Sequence, residues 1–94
     1  MEQLVGVLDK IRVITYDPLM IRFTLTTIHK LYCCIAAKKE LATKILMLED
    51  GKYNVVVNGH YNKRNQLVVS LFNVRNSNHI TRLIGFSENI SNIF

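Results

Sequence analysis

The sequence predicts an all-β domain with one helix: five short strands closed into a barrel, the helix lying between the third and the fourth. Three observations predict it. Alternating or β-rich runs occur at 4–16, 20–28, 30–36, 52–61 and 66–74. A single stretch, 38–48, has the apolar spacing of a helix. Ninety-four residues with 49% apolar content supply one barrel core and leave no room for a second domain.

The first strand carries Val5, Val7, Ile11 and Val13 in rough alternation but also Gly6 and Asp9, so a long, bent strand serving two sides of the barrel is expected. Tyr16-Asp17-Pro18-Leu19 breaks it, because proline disfavours helix at the residue before it and suits a turn. Strand two alternates cleanly: Ile21, Phe23 and Leu25 share the core face, while Arg22, Thr24 and Thr26 share the other. After the tight link at His29-Lys30, strand three sets Leu31, Cys33 and Ile35 on one face and Lys30, Tyr32 and Cys34 on the other, with Lys30 and Tyr32 expected outward.

In the helix, Leu41, Ile45 and Leu48 stand at i, i+4 and i+7, an apolar stripe able to plug one end of a barrel, with the lysines on the wet side. Glu49-Asp50-Gly51 ends the helix, and Tyr53, Val55 and Val57 then alternate with Asn54, Val56 and Asn58 toward Gly59. A polar hairpin tip, Asn62-Lys63-Arg64-Asn65, leads into the last strand, where Leu67, Val69 and Leu71 are expected on one face. This element order is the one an OB-fold barrel uses, a fold that often binds oligonucleotides on one face.

Twelve Lys and Arg against seven Asp and Glu give a net charge of +5, which favours a polyanion as partner. Cys33 and Cys34 are adjacent in a strand, so their side chains point to opposite faces and cannot converge on one metal; two packed thiols are expected. No metal or cofactor is expected. None of His29, His60 and His79 supplies the partner spacing of a zinc site, His60 and His79 have no acid or nucleophile at motif spacing, phosphate loops and hydrolase motifs are absent from the sequence, and the reading is therefore a non-enzyme. The apolar runs are short, the start Met1-Glu2-Gln3 lacks a basic region, and a reduced, cytoplasmic setting is the expectation.

Three segments carry a family resemblance: Gly6-Val7-Leu8 in the first strand, Ile21-Arg22-Phe23-Thr24-Leu25 in the second, and the run from Gly51-Lys52-Tyr53 through Val55-Val56-Val57-Asn58-Gly59 to His60-Tyr61 after the helix. In these the chain resembles bacterial single-stranded-DNA-binding proteins over residues 4–74. A looser resemblance is to a small OB-fold accessory protein of a mobile-element replication module. The first implies sequence-independent binding of single-stranded nucleic acid in replication or repair, with DNA favoured over RNA. The chain departs from that family in having no Trp, so base stacking falls to Tyr or Phe.

Such binding needs cations for phosphates and rings for unstacked bases. The candidates are Arg22 on strand two, Lys30 and Tyr32 on strand three, Arg12 bordering that face, Tyr16 at the first hairpin, and Tyr61, Lys63 and Arg64 at the last. Taken singly, Arg22 and Lys30 read equally as solubilising charges, and Tyr53 as a ring packed on the barrel end.

The barrel is assigned to 1–75, up to the polar break Arg75-Asn76-Ser77-Asn78, and a C-terminal extension to 76–94. Ile80, Leu83, Ile84, Phe86, Ile90, Ile93 and Phe94 make the extension unusually apolar, and burial on the barrel, a second copy or a partner is expected. Ile80, Leu83, Ile84, Phe86, Ile93 and Phe94 are the partner-binding candidates. Ile93-Phe94 resembles the partner-binding tip of single-stranded-DNA-binding proteins, although that tip is rich in Asp and Glu88 is the only acid here. A second reading follows from the tail: an accessory subunit that holds a DNA polymerase, primase or helicase, the basic face assisting the grip on template.

Overall fold

The computed structural model describes residues 1–77. The strands are β1 (Glu2–Tyr16), β2 (Leu19–Thr26), β3 (Leu31–Ala36), β4 (Tyr53–Tyr61) and β5 (Leu67–Ser77), with helix α1 (Lys39–Leu46) between β3 and β4. They close into a barrel in the order β1-β2-β3-β5-β4, all pairs antiparallel except β3 with β5. The architecture is the expected OB-like one.

β1 serves two neighbours, as its length requires. Glu2 to Leu8 pair with β4, and Val7 to Tyr16 pair with β2. The bend between the halves is a bulge: Asp9 faces Thr24 and Arg12 faces Arg22, so Lys10 and Ile11 together oppose one β2 residue, and Lys10 has φ +50°. Asp50, in the turn after α1, braces the bulge by accepting the Ile11 N–H at 2.9 Å, and the Gly51 N–H bonds the Leu8 carbonyl at 2.8 Å. Gly6 lies against β2 so closely that a Cβ there would meet the Thr26 carbonyl oxygen at 2.5 Å. The residue curves with the strand because it has no side chain to hold it off.

The core is Leu8, Ile21, Phe23, Leu25, Cys34, Val55, Val57, Leu67, Val69 and Phe72, with Ala42 and Ile45 of the helix plugging one end. Leu41 and Leu48 pack partly buried beside Ile45, so the helical stripe faces the core as its spacing predicts. Phe23 and Phe72 meet edge to face, centroids 6.1 Å apart, a pairing that adds about 0.5–1.5 kcal/mol to the burial of each ring.

Three expectations are corrected. In β3, Phe23 pairs with Cys34 and Leu25 with Tyr32, and paired residues share a face, so the side that points inward is Tyr32, Cys34 and Ala36. Tyr32 is half-buried against the core rather than outward, and Leu31 is the exposed residue. In β5, Leu71 is 56% exposed and Phe72 takes the core position, because Gly59 pairs with Val69 and Asn58 with Leu71, leaving Ser70 as an extra residue that reverses the alternation. The polar break at 75–78 does not end the strand either: Asn76 and Ser77 continue the ladder opposite Asn54 and Tyr53, past a second bulge at Arg75. The tail residues Ile80, Leu83, Ile84, Phe86, Ile93 and Phe94 lie outside the described residues.

Candidate nucleic-acid interface

The outer face of β2, β3 and the start of β5 lies between the β1–β2 turn and the β4–β5 turn. Outward residues follow from the register: Arg22 beside Ile35, and Ile35 beside Val68. These form the floor of an open groove of about 420 Å³, walled by Ile14 and Met20 on the β1–β2 side and by Asn62, Arg64 and Gln66 on the other. Ile35 is almost fully buried although it points away from the core. Among the described residues, no carboxylate lines the groove. Among the described residues the ion pairs are Arg12 with Asp50 and Lys52 with Glu49, so the guanidinium groups of Arg22 and Arg64 have no carboxylate partner.

The β4–β5 turn is held by one side chain. Asn62 Oδ1 accepts the backbone N–H of Arg64 and of Gln66, both at 2.9 Å, and its Nδ2 donates to Gln66 Oε1 at 3.0 Å. Backbone bonds from Asn62 N to the Gln66 carbonyl and from Asn65 N to the Asn62 carbonyl close the turn, with Asn65 at φ +63°. Gln66 Nε2 reaches Cys33 Sγ at 3.8 Å and ties the turn to β3. Arg64 therefore stands on a bonded frame, whereas Lys63 sits at the exposed tip and does not line the groove. At the opposite turn Thr15 Oγ1 donates to the Pro18 carbonyl at 2.5 Å, and Tyr16 beside it is 80% exposed.

The remaining candidates fall elsewhere. Arg12 opposes Arg22 in the ladder, but its guanidinium turns to Asp50, 3.6 Å away, and to the Ile11 carbonyl at 2.7 Å. Lys30, Tyr32 and Tyr61 meet at a smaller cavity of about 240 Å³ between the β3 start and Asn65. There the Lys30 ammonium sits 4.8 Å over the Tyr32 ring. Partial burial raises the Tyr61 hydroxyl pKa above its ordinary value, and the neighbouring Tyr32, Glu2 and Cys34 raise it further. Burial, with Cys33 adding to it, pushes the Cys34 thiol up to about 12, so it is a packed, unreactive group at neutral pH.

The eight candidates thus divide: Arg22 and Arg64 in the groove, Tyr16 and Lys63 at its two turns, Lys30, Tyr32 and Tyr61 in the side cavity, and Arg12 paired away. Sequence reasoning missed Ile14, Met20, Ile35 and Val68 as the groove's apolar surface and Asn62 as its brace. The Ile35 and Val68 positions carried a signal, since both are apolar on the face shared with Arg22, but only the parallel pairing of β3 with β5 sets them side by side.

Among the described residues there is no group of three or more His, Cys, Asp or Glu able to hold a metal, and no helix long and apolar enough to cross a membrane. Compared with protein-family models, curated proteins and solved structures, the chain matches none.

Proposed function

We propose that this chain binds single-stranded nucleic acid, single-stranded DNA in the first place, without sequence preference, as part of replication or repair. The observation that carries the reading is the groove itself: an apolar floor and, among the described residues, two arginines free of carboxylate partners and no acid in the lining, on the face that OB-type barrels use. Phosphates pair with Arg22 and Arg64, and with Lys63 at the rim. Ring-sized apolar surface at Ile14, Met20 and Val68 takes the faces of unstacked bases, and Tyr16 offers an exposed ring for stacking at one end. Backbone and stacking contacts of this kind carry no base code, hence the absence of sequence preference.

Mapping of amide shifts in the full chain on addition of a dT oligomer tests the site. The expected outcome is that residues 14–22, 35–37 and 62–68 move and residues 3–7 and 26–29 do not. Shifts centred on the second set, or none at all, exclude the groove.

A further inference from the structure

A second opening lies apart from the groove and has the opposite chemistry. β2 pairs with β1 only from Val7 onward, and among the described residues no strand takes the other edge of Glu2–Gly6. Between that free edge and the β2–β3 turn lies a notch of about 610 Å³. Leu4, Val5 and Val7 line one wall, Ile28 and Tyr32 the other, and no Lys, Arg, Asp or Glu is among its lining residues. Ile28 is 93% exposed at the lip and Val5 45%. The turn that carries Ile28 is fixed by Thr27, whose Oγ1 accepts the N–H groups of His29 and Lys30 and donates to the Lys30 carbonyl. The lip is therefore built and apolar, and it faces a strand edge that has backbone groups to satisfy.

The chain supplies an occupant at short range. β5 ends at Ser77, opposite Tyr53, and Asn76 is opposite Asn54, a residue that lines the notch. Seventeen residues, 78–94, follow, and seven of them are Ile, Leu or Phe. From β5 across β4 and β1 to the free edge is three strand spacings, about 14 Å in all, which four to five extended residues of about 3.3 Å each can span. That arithmetic puts Leu83, Ile84 and Phe86 within reach. We infer that the notch beside Glu2–Gly6 is the docking site of the chain's own segment 78–94, which adds to the free edge of β1 and seats Leu83, Ile84 and Phe86 against Val5, Val7 and Ile28. Attachment through so short a link gives the segment an effective concentration in the millimolar range, ahead of any partner in free solution. The inference does not depend on nucleic-acid binding, since the notch and the groove share no lining residue.

Amide hydrogen exchange on the full chain, each rate taken as a ratio to residues 21–25 so that global destabilisation cancels, tests it. Leu83→Asp with Phe86→Asp should speed exchange over residues 2–6 and 26–29 by ~10-fold or more, leaving 62–68 unchanged. The reciprocal variant, Val5→Asp, should do the same to residues 80–86. Both effects should be independent of protein concentration. Unchanged rates in either variant overturn the inference, and so does protection that grows with concentration, which assigns the notch to a second copy.

Discussion

The groove on β2, β3 and β5 and the notch beside the first half of β1 are both openings in one small barrel, yet one is rimmed by arginine and the other has no lysine, arginine or carboxylate in its lining. The difference comes from how β1 is shared. Its second half pairs with β2 and brings Ile14 to the groove, whereas Glu2 to Gly6 pair, among the described residues, with β4 alone and leave Leu4 and Val5 beside an open edge. A chain of net charge +5 has thus set two of its guanidinium groups about one opening and kept charge away from the other. The first suits a polyanion and the second an apolar polypeptide.

The change with the largest expected effect breaks both openings together. A Cβ at Gly59 would land on the Val68 carbonyl, where β4 and β5 cross the Ser70 bulge. Gly59→Val should lower stability by about 3 kcal/mol, the upper end of overpacking costs, seen as a shift in the urea midpoint. Next, Arg22→Ala and Arg64→Ala should each weaken dT-oligomer binding by about 1.5–3 kcal/mol and reduce the salt slope by about 0.7. The same titration of Val5→Asp should give unaltered binding, because the notch shares no lining residue with the groove proposed to take the oligomer. Tyr16→Ala should cost about 1–3 kcal/mol of affinity with the slope unchanged, since stacking involves no phosphate. The smallest effect is Arg12→Ala. Its exposed pair with Asp50 is worth about 0–1 kcal/mol of stability, and oligomer binding should stay within error of the parent.

Much of the barrel was legible because period and composition agree in β2 and α1. Ile21, Phe23 and Leu25 could face only one way, and Leu41, Ile45 and Leu48 had one stripe to form. β3 was not legible in the same way, since Leu31-Tyr32-Cys33-Cys34-Ile35-Ala36 is apolar on both faces and only the pairing of Phe23 with Cys34 chooses between them. Each bulge also reverses alternation without leaving a mark in composition: Ser70 and Arg75 are ordinary strand residues by sequence, yet the extra residue at Ser70 decides that Phe72 rather than Leu71 enters the core. Of the candidate site, the charges at the β4–β5 turn and on β2 could be read from the chain. The loss of Arg12 to Asp50 could not, because that contact spans 38 residues and exists only once the α1–β4 turn packs on the β1 bulge.

The central claim is that the groove binds single-stranded nucleic acid through phosphate pairing, and titration of the full chain with a labelled dT oligomer between about 50 and 200 mM salt tests it most directly. Pairing by Arg22, Lys63 and Arg64 predicts a log–log slope of roughly −2, three phosphates at about 0.7 each. A slope indistinguishable from zero, or no binding at the lowest salt, contradicts it.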